Sequence, residues 1–257
     1  MEDLTKLVAP LLPLLFAFTI LSQLLVNWLT ALYLVVFRPT IHIYAAGRIE
    51  VSFGTFGPSI TLFGTMQAER GDFFVTRMEL SVQRSGSDVT HRMEWGAFAP
   101  YLFGLEESAD VKYELVTAFA LKKDQPFKYN IVFTDDTFVN EETQTAKQIR
   151  DDYQTFINGS IHALAGKGGA EAFYKQPNIQ AIAQAWQQKI YWQAGDYDLQ
   201  LSIKSTRKTQ HYTYHFHLSE TDCAALQSNA HALILSFCGE KVRFARAYTA
   251  YQGLGEH

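Results

Sequence analysis

The chain has 257 residues, 14% of them aromatic, and sets 22 Lys and Arg against 26 Asp and Glu for a net charge of −4. That length supports one large or two small globular units with a proper core, and the charge balance lacks the basic excess of a nucleic-acid binder, so nucleic acid is set aside as a partner. Only Cys223 and Cys238 occur, which excludes the disulfide framework of a small secreted domain.

From Leu7 to Phe37 no side chain is charged, and at ~1.5 Å per residue this run outreaches a ~30 Å hydrocarbon core. Pro10 and Pro13 are tolerable near a helix start but costly in its middle, which puts the regular span at about Leu14 to Phe37 and the membrane anchor at residues 1–38. A cleavable signal peptide is the competing reading. The acidic leader Met1-Glu2-Asp3, the length of the apolar run and the remoteness of Tyr44-Ala45-Ala46 argue against it.

Within the span Thr19, Gln23, Asn27 and Thr30 recur at helical spacing, giving one polar stripe on a Leu-rich surface. Amides in hydrocarbon need hydrogen-bond partners, so the stripe predicts contact with another transmembrane helix, either a second copy or a different subunit. The alternative is bonding within the same helix or to a local water. The positive-inside rule has Lys6 to weigh against Arg38 and Arg48, and that margin of one places the large domain in the cytoplasm.

After Arg38-Pro39 the apolar period changes from ~3.6 residues to ~2 and stays there for about a hundred residues. Ile41 to Ala45, Ile49 to Phe53 and Ser59 to Gln67 read as short half-buried strands. Phe73 to Arg84 alternates cleanly before a Ser85-Gly86-Ser87-Asp88 turn, and its return strand is Val89 to Trp95. Val111 to Leu121 and Phe127 to Phe133 follow, separated by the polar connection Lys122 to Pro126. Seven candidate strands with no intervening helix predict an antiparallel, immunoglobulin-like β-sandwich over residues 39–257.

Asn140 reads as the N-cap of a helix running to about Phe156, and Pro177-Asn178 leads into a second over Ile179 to Lys189. Trp192 to Leu218 returns to a hairpin; Ser219 with Asp222 caps a third helix, which turns Leu226, Ala230, Leu233 and Phe237 to the core and stops at Gly239 before a last strand, Lys241 to Tyr251. The expected fold is therefore mainly β: one transmembrane helix, then a sandwich with a helical insertion at about 139–189 and a C-terminal helix at about 219–236.

The late hairpin holds the one constellation with possible chemistry. Tyr197, Leu199, Leu201 and Ile203 share an apolar face that Tyr212, Tyr214, Phe216 and Leu218 match, so the opposite face gathers His211, Thr213, His215 and His217. Register parity sets Asp198 across from His215 or His217, and Asp198, His215 and His217 form a candidate zinc or iron site. A polar strand face bathed in water has the same sequence, and the spacing matches no metal signature.

Glu106-Glu107, Asp135-Asp136 and Asp151-Asp152 are adjacent pairs whose members point apart, and no Ser or Cys stands in a nucleophile elbow. Lys241, Arg243 and Arg246, together with Arg48, are either headgroup contacts or an ordinary solvated edge. No cofactor is implied. The reading is a non-catalytic, single-pass membrane protein whose β domain binds or positions a partner, as an accessory or scaffold subunit, with other transmembrane helices and membrane lipid as its neighbours. A metal-dependent enzyme or metal-handling protein is the alternative, and a membrane-anchored sensor is a further one.

Overall fold

The computed structural model describes residues 11–36, 39–98, 114–159, 168–206 and 208–254. Helix α1 spans Leu11–Val36, and strand β1 opens four residues later at Thr40–Gly54. Then come β2 (Gly57–Glu69), β3 (Phe73–Arg84), β4 (Thr90–Phe98), the two short strands β5 (Glu114–Leu115) and β6 (Phe119–Leu121), and β7 (Pro126–Thr134). Helices α2 (Asp136–Gly159), α3 (Gly169–Tyr174) and α4 (Pro177–Lys189) lead into β8 (Gly195–Ser205) and β9 (Thr209–Leu218); α5 (Glu220–Phe237) and β10 (Arg246–Leu254) complete the order.

The expected immunoglobulin-like sandwich is overturned: the sheet closes into a barrel. Its order is β4-β7-β2-β1-β10-β9-β8-β3, and β3 pairs with β4 as well, so eight antiparallel strands form a ring. Strand β3 holds both neighbours at once, with Leu80 opposite Met93 of β4 and Leu201 of β8. Alternation along each strand is the same in a sandwich and a barrel; only pairing of the first and last strands distinguishes them. Toward the start of β3 its partner changes from β4 to β6, which pairs with Phe73 to Val75. The wedge so formed is packed with Trp95, Phe98, Phe119 and Phe127, with Phe119 and Phe127 stacked 4.9 Å apart.

Several boundaries move. The two expected strands at Ile41 and Ile49 are one strand, kinked by a bulge between Ala45 and Ile49 where Gly47 takes φ +74°. In place of one strand over Val111 to Leu121 there are β5 and β6, and residues 111–113 lie outside the described segments. Helix α2 begins at Asp136 rather than Asn140, and the last strand begins at Arg246 rather than Lys241. The hairpin starts at Gly195, leaving Trp192 in the connection before it. Helix α5 carries the expected capping box of Ser219 and Asp222. Past Cys238 it ends in a Schellman turn, with Gly239 at φ +85° and the Glu240 amide donating to the Leu235 carbonyl.

Strict antiparallel order sorts every connection to one of two ends. The turns leading into the helices, β7 to β8 and β9 to β10, lie at the end where β1 finishes, so the helices cover that end as a cap. Phe53 at the tip of β1 meets Phe138 of α2 edge-on at 5.1 Å, and Trp186 of α4 packs on both Phe138 and Phe237. Lys189 of α4 bridges Glu141 and Glu142 of α2 while the Trp186 indole donates to Glu142 at 2.6 Å. Burial pushes the Glu142 carboxyl up, but those hydrogen bonds outweigh it and hold the group below the usual carboxylate range.

The barrel interior is filled by side chains, as a ring of eight strands requires: Met66, Met78, Leu80, Met93, Ile131, Leu199, Leu201 and Ile203 are all fully buried. Cap and barrel are joined by Asn229 of α5, itself 1% exposed. Its side-chain amide donates to the Phe53 carbonyl at 2.9 Å and the Ala245 carbonyl at 2.8 Å, and its oxygen accepts from the Ala245 amide at 2.6 Å. Truncation strands three backbone groups, the buried Phe53 carbonyl and the half-buried Ala245 amide and carbonyl. Asn229→Ala is therefore expected to cost about 2–4 kcal/mol in denaturant unfolding of the full chain in detergent, and a loss below about 1 kcal/mol would show that the clamp is dispensable.

Candidate functional site

Helix α1 is 26 residues long, roughly 39 Å of rise, and is long and apolar enough to cross a membrane. From Phe16 to Tyr33 every side chain is exposed, including Phe16, Phe18, Leu21 and Trp28. A signal sequence near the N-terminus meets the same length and composition.

The helix does bring Thr19, Gln23, Asn27 and Thr30 to one face, within about 80° of arc. The two threonines bond within their own helix, Thr19 Oγ1 donating to the Phe16 carbonyl at 2.9 Å and Thr30 Oγ1 to the Val26 carbonyl at 2.7 Å. That satisfies the stripe's ends. Its centre is the exposed pair of amides Gln23 and Asn27, one turn apart.

On the barrel wall, β8 and β9 are in the register that parity allowed: Asp198 stands opposite His215 and Asp196 opposite His217. The candidate metal ligands are thereby divided between two separate pairs. His215 Nδ1 meets Asp198 Oδ1, while His217 Nδ1 lies 2.7 Å from Asp196 Oδ1, and His211 bonds Ser202 at 2.9 Å. Among the described residues no three His, Cys, Asp or Glu side chains gather where an ion could sit. All four members of the two pairs are on the outer face, 41% exposed or more.

The described cysteines supply no nucleophile. Burial pushes the Cys238 thiol up to about 12, aided by Glu240, and raises Cys223 as well, so both stay protonated at neutral pH. Of the adjacent acids, Glu106-Glu107 lies outside the described residues, whereas Asp135-Asp136 opens α2 and Asp151-Asp152 lies within it.

The basic residues considered as headgroup contacts are at the wrong end. Arg246 pairs with Ser52 near the cap, twelve residues and roughly 40 Å of strand from Thr40, and its guanidinium reaches Glu50 at 3.4 Å. Lys241 and Arg243 belong to the same cap-end connection, and Arg48 sits at mid-strand opposite Ala250. The cations beside the exit of α1 are others, in the β2–β3, β6–β7 and β8–β9 turns. Reading Lys122-Lys123 only as a polar connection missed them; counting strand reversals from Thr40 would have put those turns on the helix side.

Comparison with protein-family models, with curated proteins and with solved structures finds no match to this chain.

The divided His–Asp pairs are exposed ion pairs, and such pairs contribute little to stability. His215→Ala and His217→Ala are each expected to change unfolding free energy by less than about 1 kcal/mol, and added zinc is expected to leave the denaturation midpoint unmoved. A zinc-dependent rise in the midpoint that vanishes in both variants would instead place a metal site on this face.

Proposed function

We propose that this chain is a single-pass, membrane-anchored barrel protein with a non-catalytic role, positioning a partner within a membrane assembly through the Gln23/Asn27 face of α1. The observation that carries this reading is the unburied apolar helix with two amides at the centre of an otherwise hydrocarbon-compatible surface. In a bilayer those amides gain hydrogen bonds from a second helix beyond what their own helix or a local water supplies, which favours association along that face. The barrel suits a positioning role because its interior is packed solid with side chains, giving a rigid body on a short connection. A second copy and a different subunit both supply a matching helix, and the positive-inside margin favours a cytoplasmic barrel.

An interhelical amide contact in a membrane is worth roughly 1–2 kcal/mol, or about ten-fold in association. Native mass analysis of the chain extracted in mild detergent is expected to show a companion helix protein or a dimer. Gln23→Leu and Asn27→Leu should each reduce that association about ten-fold. Unchanged association in the double variant would end the case for the stripe. An intact mass lacking α1 would instead identify the helix as a signal sequence.

A further inference from the structure

Among the described residues, the end of the barrel opposite the cap is built from three turns that the fold draws around the exit of α1. From Val36 to Thr40 the chain spans four residues, at most ~14 Å even when extended. Thr40 pairs with Glu69, the last residue of β2, so the Arg70 to Asp72 turn adjoins the helix exit directly. The β8–β9 turn is held beside it from the other side: the Ile41 amide donates to Gln210 Oε1 at 3.0 Å and the Tyr212 hydroxyl donates to the Ile41 carbonyl at 2.5 Å. The β6–β7 turn is tied in through Asp72, whose carboxylate accepts from the Lys123 amide at 2.9 Å and from Lys122 Nζ at 3.0 Å. Those two bonds hold the Asp72 carboxyl below its ordinary range.

Among the described residues, these turns and the strand ends flanking them carry Arg70, Lys122, Lys123, Lys128, Lys204 and Lys208 against Glu69, Asp72, Asp124 and Glu79, the last paired with Lys204 at 2.7 Å. The excess is positive in a chain whose net charge is −4. The cap has the opposite sign: α2 alone holds Asp136, Glu141, Glu142, Asp151 and Asp152 against Lys147 and Arg150. Beside the basic rim, Phe74 at the start of β3 turns outward and is 46% exposed, one of few large apolar side chains exposed on the barrel. Basic side chains with an exposed aromatic, close to the end of a membrane-length helix, are the composition of a headgroup contact, and the surface potential of anionic lipid acts within ~8–10 Å.

We propose that this rim, centred on Lys122, Lys123, Lys128 and Lys208, seats the barrel on the anionic headgroups of the bilayer that holds α1, with Phe74 at the interface and the acidic cap pointing away. The proposal rests on the anchored reading above and adds to it an orientation and a lipid preference. The rim binds acidic lipid; the opposite charge of the cap makes the seated orientation the favoured one.

The test uses the full chain reconstituted in vesicles of phosphatidylcholine alone and of phosphatidylcholine with phosphatidylserine, read by flotation and by backbone hydrogen exchange. Flotation with both vesicles is expected, since α1 needs no acidic lipid. Amides of the three rim turns should then exchange several-fold more slowly with phosphatidylserine present. That protection should disappear at high salt and in the triple variant K123E/K128E/K208E, while the barrel amides of Leu199 and Leu201 keep their protection. Equal exchange in the two lipids, in a chain that floats with both, would overturn the seated rim and leave the anchor standing. A chain that floats with neither would overturn the anchor and the rim together.

Discussion

Closure of the sheet governs everything else in this molecule. Strand β3 is bonded to β8 along most of its length and to β4 at its far end, and that second ladder, from Glu79 to Gln83, turns an open sheet into a ring. A ring of eight strands has no free edges along that seam, so it needs no covering layer there and encloses a core about as wide as two facing side chains. The price is rigidity of register: each inward residue must fit those facing it across the interior, where the adaptable side chains of Met66, Met78 and Met93 are fully buried.

Once the ring is closed and antiparallel, every connection falls at one end or the other. The 60-residue link from β7 to β8 and the shorter one from β9 to β10 share an end, and their helices pack there on Phe53, Trp186 and Trp192. The Trp192 indole donates to the Ser52 carbonyl at 3.0 Å and Asn229 bridges β1 to the chain before β10, so the cap is bonded to the barrel as well as packed on it. At the other end the chain enters from α1, and there the connections among the described residues are three short turns carrying Arg70, Lys122, Lys123 and Lys208. The molecule is therefore polar along the barrel axis in architecture and in charge alike.

The two ends differ in what solvates their apolar surface. In the cap, Ile149, Ile179, Leu226 and Leu233 bury one another, and no further solvent is needed. From Phe16 to Tyr33 helix α1 buries no side chain, and the Thr19 and Thr30 hydroxyls turn back on their own helix's carbonyls. The proposed role therefore rests on the helix and on the turns around its exit. The wall's own polar feature, the His–Asp ladder of β8 and β9, is resolved into separate exposed pairs by the β8–β9 register.

Local signals were legible in the sequence wherever a neighbouring residue settles them. The membrane-length apolar run, the one-sided stripe of Thr19, Gln23, Asn27 and Thr30, the strands from β2 to β4, the hairpin of β8 and β9 and the Ser219/Asp222 cap all follow from periodicity or from contacts three to four residues apart. Bulges and splayed seams escaped it, because the kink at Gly47 and the replacement of β4 by β6 beside β3 depend on pairing partners far along the chain. Barrel rather than sandwich, Asp198 with His215 rather than with His217, and lysines rather than Arg246 beside the helix exit were decided by tertiary structure alone. The physical reason is common to all three: alternation says which face a side chain takes, whereas strand pairing and closure say what lies across from it and at which end.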